Sequence, residues 1–210
     1  MDDRLKYKIS LKSDEELQDY INNREKYLPE TIELSVAELQ ARGIEFTDEE
    51  LKVIDEDMQA RRQLAETPSN DLNFFRYDQK NNQIEDPEAP SYYSKRAIYI
   101  FSILFSVFFG SIMLAMNVAK RQSTAKALLV VLFGLGVTAA TIILGEEFNL
   151  PTSSGIFISI IGAYAMNAIF WKNYIGNNAL YRLRPIWTPL AIGLCSAGMF
   201  VYMIVLSLGK

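Results

Sequence analysis

The chain has 210 residues, is 50% hydrophobic, and has a formal net charge of −4, with no histidine and one cysteine. This length predicts one or two domains. The absence of histidine removes the commonest general base and metal ligand. The lone cysteine excludes an intrachain disulfide and a zinc site built from several cysteines. No motif for catalysis or for binding a metal or nucleotide is present, so we expect neither enzyme activity nor a cofactor.

Charge divides the chain into two halves. Residues 1–96 contain 14 basic and 23 acidic residues, whereas residues 97–210 contain 7 basic and 2 acidic ones. Binding a nucleic-acid backbone requires clustered lysine and arginine. The acidic half therefore argues against a nucleic-acid partner.

The first helical start follows a short N-terminal segment. Residues 1–12 alternate loosely between apolar and polar side chains, which we interpret as coil or an extended arm. Ser13 and Glu16 have the spacing of a capping box, in which each side chain bonds the other residue's amide. This pattern predicts a helix from Asp14 to about Ile21.

Two further helices are predicted in the N-terminal region. Pro29 suits the first position of a helix, and Gly43 suits its end. Thr47 and Glu50 form a second capping box, and this helix should reach about Ala65. Apolar residues at helical spacing are Ile32, Val36 and Leu39 in one helix, and Leu51, Ile54 and Met58 in the other.

The predicted N-terminal helices offer few large apolar side chains for a core. A bundle this small is marginal by the area that it buries. We therefore expect residues 1–66, an acidic cytoplasmic region, to bind a protein partner or to self-associate. Residues 67–94, rich in Asn, Asp, Gln and Pro, are predicted to be a linker.

The second half contains four uncharged hydrophobic runs, each long enough to cross a hydrocarbon core of about 30 Å. They predict an all-α fold: a four-helix transmembrane bundle in residues 95–210, in contact with the lipid bilayer, below a small soluble helical region. The predicted spans are about 97–119, 127–144, 153–171 and 186–208.

Basic and aromatic residues alternate between the third and fourth runs. Lys172, Arg182 and Arg184 lie there with Trp171 and Trp187. These side chains are candidates for contacts with anionic lipid headgroups. The alternative interpretation is an ordinary interfacial loop with basic anchors and an aromatic belt.

Polar residues are scarce inside the runs. Asn117 and Asn167, each near the end of a run, are candidates for interhelical hydrogen bonds. Close helix packing is indicated by the small-residue pairs Ser106/Gly110 and Gly193/Ala197.

The rules for topology conflict in this chain. A hydrophilic N-terminal region without a signal peptide should stay in the cytoplasm, and four spans return the C-terminus there. Six basic residues in the first and third loops would then face outside, against the positive-inside bias. Export of the N-terminal region, or a re-entrant hairpin turning near Gly110-Ser111, would remove the conflict. We favour four spans with both ends in the cytoplasm, because the first run is long, apolar and free of proline.

Several segments resemble a group of uncharacterised bacterial membrane proteins. The resemblance rests on the run Ser94 to Gly110, on Asn117, and on the aromatic and basic blocks Phe170 to Gly176 and Tyr181 to Trp187. It implies an acidic helical N-terminal region, several C-terminal spans and a bacterial inner membrane location. It implies no activity and no functional residues.

The leading functional hypothesis is a non-enzymatic, membrane-anchored interaction or scaffold protein. The second is a small oligomeric transporter or channel for an uncharged solute, with Asn117 and Asn167 along its path. A third is an enzyme that acts on lipid through Glu146 and Glu147. These two residues share a short loop where solvation alone explains them.

Overall fold

A computed structural model describes residues 3–66, 82–176 and 178–208, and these residues are mostly helical. They form two compact units. The first unit comprises Met1–Ser91 and Asn177–Arg182, and the second comprises Tyr92–Gly176 and Leu183–Lys210.

Four α-helices and one turn of 3-10 helix, Arg24–Lys26, build the first unit. Their buried side chains form a single apolar core to which every α-helix contributes. The helices are α1 (Asp3–Ser10), α2 (Asp14–Asn22), α3 (Pro29–Ala41) and α4 (Asp48–Glu66).

Helix α1 lies where coil or an extended arm was predicted, so that interpretation is wrong. Ile9 is 3% exposed in the core and Leu5, one turn earlier, packs against it. Tyr7 and Leu11, the other apolar residues of the supposed alternation, are exposed. The relevant apolar spacing is therefore four residues, typical of a helix, rather than two.

The predicted local chemistry of the other helices is present. The Glu16 amide donates to Ser13 Oγ and the Ser13 amide donates to Glu16 Oε2. Thr47 and Glu50 exchange the same two bonds. Gly43 has φ +89°, a left-handed conformation that favours glycine after a helix.

Part of the predicted linker packs into the first unit; residues 67–81 lie outside the described residues. Asp86 is fully buried, and its Oδ2 accepts hydrogen bonds from the Leu28 amide and the Thr31 hydroxyl at the start of α3. Ile84, also buried, donates its amide to the Tyr181 carbonyl. The segment after residue 81 is thus fixed by buried polar contacts.

Helices of very different length build the second unit. A π-helix, Met166–Ile175, continues directly from the fourth of its α-helices. The α-helices are α5 (Lys95–Leu104), α6 (Val107–Arg121), α7 (Thr124–Glu147), α8 (Thr152–Ala165) and α9 (Trp187–Leu208). Two short strands, β1 (Ser91–Tyr92) and β2 (Arg182–Leu183), form a two-stranded sheet.

The first predicted span, 97–119, is two helices rather than one. Helix α5 ends at Leu104 and α6 begins at Val107, with Ser106 extended between them. At about 1.5 Å per residue, α5 measures about 15 Å and α6 about 22 Å. Neither reaches the 30 Å or so of a hydrocarbon core alone.

Side chains that start a new helix explain this break. The Phe109 amide donates to Ser106 Oγ at 3.1 Å, and the Phe108 amide donates to Thr138 Oγ1 of α7 at 3.0 Å. Both amides belong to the first turn of α6 and have no partner within that helix. Serine and threonine hydroxyls therefore end the first helix where no proline is present.

Helices α5 and α6 pack antiparallel, as a hairpin. A Cβ added at Gly110 would overlap the Ser102 hydroxyl and lie 3.0 Å from the Ile98 carbonyl oxygen. At the other end of the pair, Asn117 bonds the backbone of Tyr93. We call Lys95–Leu104 and Val107–Arg121 the α5–α6 hairpin.

Two continuous helical segments are long and apolar enough to cross a membrane, among the residues that the structure describes. They are Thr124–Glu147 and Ser153–Ile175, the second formed by α8 and the π-helix. In the most apolar 18-residue stretch of each segment, 17% is buried inside the protein. Most of their apolar surface is therefore exposed, unlike that of a core helix in a soluble protein.

Candidate functional site

Asn117 holds the two ends of the α5–α6 hairpin together. The Tyr93 amide donates to Asn117 Oδ1 at 2.9 Å, and Asn117 Nδ2 donates to the Tyr93 carbonyl at 2.8 Å. Asn117 is fully buried. The chain before α5 and the last turns of α6 are therefore at the same end of the second unit.

The end of the π-helix lies at this same place. Lys95 Nζ lies 5.4 Å from the centre of the Trp171 ring, and Lys126 Nζ lies 5.3 Å from that of Tyr174. Gln122 Nε2 donates to the Tyr174 carbonyl at 3.2 Å. A cation over an aromatic face is attracted to it.

The segment before α9 completes the arrangement. The Arg184 guanidinium lies 4.7 Å from the centre of the Tyr93 ring, and the Arg184 amide donates to the Tyr92 carbonyl. Burial raises the pKa of Tyr92 above its ordinary value. We call the cations of this region the basic end: Lys95, Arg96, Lys120, Arg121, Lys126, Lys172 and Arg184.

The five residues predicted to contact lipid headgroups differ in exposure and in the unit to which they belong. Lys172 and Trp187 are exposed in the second unit, and Arg184 is half-buried there. Trp171 is only 2% exposed, and its Nε1 donates to the Gly176 carbonyl, so its ring is not presented to headgroups. Arg182 is exposed but belongs to the first unit.

Asn167 lies in the π-helix, half-buried. Its Oδ1 is buried and has no hydrogen-bond partner within the described residues. The third candidate pair, Glu146 and Glu147, is exposed at the last turn of α7. That is the opposite end of α7 from the basic end.

A groove crosses the first unit between α2, the loop before α4, and α4. Its volume is about 550 Å³, within the usual range for a binding site. Five apolar side chains contribute to its lining: Ile21, Ile44, Phe46, Val53 and Ile54. The rest of the lining is polar, with three exposed glutamates, two amides and one arginine that pairs with Asp57: Glu45, Glu49, Glu50, Gln18, Asn22 and Arg24.

The acidic side of the groove is held in its charged form. The Thr47 amide and hydroxyl bond the Glu50 carboxylate and lower its pKa below the ordinary value. Val53 is 52% exposed, so part of the apolar lining is open to solvent. An apolar surface next to fixed negative charge suits a basic, amphipathic segment.

Helix α1 carries a surface of that chemistry. Tyr7 and Leu11, four residues apart, are 65% and 67% exposed, and Lys6 is exposed beside them. Leu11 directly follows the last residue of α1, Ser10, so these side chains lie on the end of the helix and just after it. We call Lys6, Tyr7 and Leu11 the α1 strip.

Neither the groove nor the contacts of Lys95 and Lys126 with aromatic rings could be predicted from the sequence. The groove requires α2 and α4 to be adjacent, which no local pattern predicts. Within the described ranges, no group of three or more Cys, Asp or Glu side chains is placed to hold a metal ion. Comparison with family models, curated proteins and solved structures finds no match.

Proposed function

We propose that this chain is a non-enzymatic, membrane-anchored scaffold protein that assembles with copies of itself through its first unit. Its second unit lies in a bacterial inner membrane, and its first unit faces the cytoplasm. The groove of the first unit carries the proposal, because it combines an apolar lining with an acidic side.

Membrane anchoring is supported by the surface of the second unit. Large apolar side chains are about half exposed along each long helix; examples are Leu132 in α7, Ile156 in α8 and Ile192 in α9. Soluble monomers rarely expose apolar patches so extensive. Transferring this surface from water to lipid is favourable by roughly 25 cal/mol per Å².

The groove's occupant is a second copy of the chain. The glutamates that line the groove attract a basic segment locally, although the first 96 residues of both copies are acidic overall. The α1 strip supplies such a segment on the same unit, with Tyr7 and Leu11 for the apolar lining and Lys6 for the acidic side. An interface between two different surfaces of one protein is head-to-tail, and it extends into rings or filaments.

Charge exchange tests this interface. Lys6→Glu and Glu49→Lys should each weaken association of the full chain about tenfold, a change of about 1.4 kcal/mol. Together they should restore it, because the opposite charges meet again with reversed sign. The measurement is molar mass against concentration, by light scattering in detergent.

Glu30→Lys is the matched control. Glu30 and Glu49 are both exposed and both occupy the second position of a helix, α3 and α4 respectively. The control should associate like the parent. A parent that stays monomeric, or a double variant no better than either single one, would refute the proposed interface.

A further inference from the structure

The basic end and the α5–α6 hairpin together bear on how the second unit meets the membrane. The hairpin's tip, Phe105-Ser106, lies beside the middle of two longer helices. A Cβ at Gly162 of α8 would lie 2.9 Å from both Val107 and Val137 side-chain atoms. Val107 begins α6, directly after the tip.

The position of the hairpin's tip along α7 shows how deep in a membrane the tip would lie. Thr138 Oγ1, which accepts the Phe108 amide, lies about 21 Å along α7 from Thr124 at about 1.5 Å per residue. The last residue of α7, Glu147, lies about 35 Å along it on the same scale. Starting from the basic end, the tip therefore stops about two thirds of the way across a core of about 30 Å.

The backbone at the tip meets the condition for entering lipid without crossing it. A broken helix inside a membrane is tolerated where protein satisfies and covers its polar groups. Ser106 and Thr138 bond two first-turn amides of α6, and Val107 is 1% exposed. By contrast, Leu104 before the tip is 69% exposed, and it is apolar.

We propose that the α5–α6 hairpin is re-entrant, so that the basic end lies at one membrane face, where its exposed cations bind the headgroups of anionic phospholipids. Helix α7, and α8 with the π-helix, then each make one crossing. This inference rests on the membrane anchoring proposed above.

Charge agrees with this arrangement. The re-entrant path places Lys120, Arg121 and Lys126 on the same side as Lys95, whereas a single span would place them across the membrane. Glu146 and Glu147 fall on the opposite side, at the far end of α7. The positive-inside bias, which four spans violate, is obeyed.

The chemistry of the basic end suits a lipid phosphate. Arg96, Arg121 and Lys172 are exposed, and each basic residue near an anionic bilayer surface contributes about 1 kcal/mol of attraction. The Lys126 ammonium lies over the Tyr174 ring, and the Arg184 guanidinium lies over the Tyr93 ring. These contacts hold two further cations at the basic end. Aromatic rings are also enriched at this depth of a membrane.

Cysteine labelling in sealed membranes tests the hairpin. In full-length Cys195→Ser protein, single cysteines replace Glu30, Ala125 or Phe148, all of them exposed and outside the proposed self-association interface, and an impermeant maleimide is added from one side. The expected result is that Glu30→Cys and Ala125→Cys label from the same side and Phe148→Cys from the other.

Other labelling patterns overturn the proposal in distinguishable ways. Glu30→Cys and Phe148→Cys labelling together, with Ala125→Cys opposite, would show that the first run crosses as a single span, and would leave membrane anchoring intact. Ala125→Cys and Phe148→Cys labelling together would show that α7 does not cross. If all three sites label together and the protein washes off the membrane, anchoring itself fails.

Retained lipid tests the headgroup contact. Full-length protein is reconstituted with equal amounts of phosphatidylglycerol and phosphatidylcholine, extracted in mild detergent, and its bound lipid is quantified by mass spectrometry. The parent should retain phosphatidylglycerol severalfold over phosphatidylcholine, and Arg96→Gln/Arg121→Gln/Lys172→Gln should lose that preference. Glu146→Gln/Glu147→Gln, at the opposite end, should retain it. Equal retention by the parent, or an unchanged preference in the triple variant, would overturn the headgroup contact.

Discussion

At the scale of single residues, the stability of two helix starts depends on the charge of the glutamate in each capping box. The pKa of Glu16 is lowered by its bonds with Lys12 and the Ser13 amide, and that of Glu50 by its bonds with Thr47. A carboxyl whose pKa is lower in the folded chain stabilises it fully above the ordinary value of 4.5. This contribution is lost as the pH falls through the lower folded value.

Acid should therefore weaken the first unit partly through these boxes. Between about pH 6 and about pH 3, the thermal midpoint of Glu16→Gln/Glu50→Gln should fall less than that of the parent, because glutamine keeps the accepting oxygen but does not titrate. Circular dichroism melting of the full chain in detergent measures it. Glu15→Gln/Glu30→Gln, which changes first-turn glutamates of α2 and α3 outside the boxes, should behave like the parent. Equal falls in all three proteins would disprove the assignment.

At the scale of elements, the α5–α6 hairpin depends on a close approach at Gly110. Gly110→Ala should lower stability by about 1–3 kcal/mol, because its Cβ would collide with Ser102 and approach the Ile98 carbonyl. Gly136→Ala, also within a helix but with nothing within 4 Å of its Cβ, is the control and should be neutral or slightly stabilising.

A double variant separates this collision from a general effect of alanine. Ser102→Ala removes the hydroxyl that the new Cβ would overlap, so it should recover part of the stability lost in Gly110→Ala. Thermal unfolding in detergent measures all four proteins. Gly110→Ala melting like Gly136→Ala would contradict the hairpin packing.

The starts of α2, α3 and α4 could be predicted because their causes are local. Two capping boxes and Pro29 lie within a few residues of the helices that they begin. The break before α6 could not be predicted in this way, since one of its hydrogen bonds comes from Thr138, 30 residues further along the chain. The absence of proline in the first run was therefore a misleading guide.

Helix α1 and the groove also depend on contacts between elements. Ile9 is buried only because the other helices of the first unit surround it. Asp86 lies in a segment whose composition predicts a linker, yet it is fixed by Leu28 and Thr31, more than 50 residues earlier. Composition predicted the division into an acidic and an apolar half, but not which residues each unit contains.

At the scale of the whole molecule, the two units carry different roles in the proposed scaffold. The second unit has two segments of membrane-spanning length and a cluster of cations at one end. The first unit has an acidic groove and, on α1, a surface of complementary chemistry. Both the headgroup contact and the hairpin topology require membrane anchoring of the second unit.

Alkaline carbonate extraction of membranes that contain the full chain tests membrane anchoring. The wash releases proteins held to a membrane by charge, whereas proteins whose apolar helices lie in the hydrocarbon core stay in the pellet. The parent chain and the Arg96→Gln/Arg121→Gln/Lys172→Gln variant should both remain in the pellet. Recovery of the parent chain in the supernatant would contradict membrane anchoring.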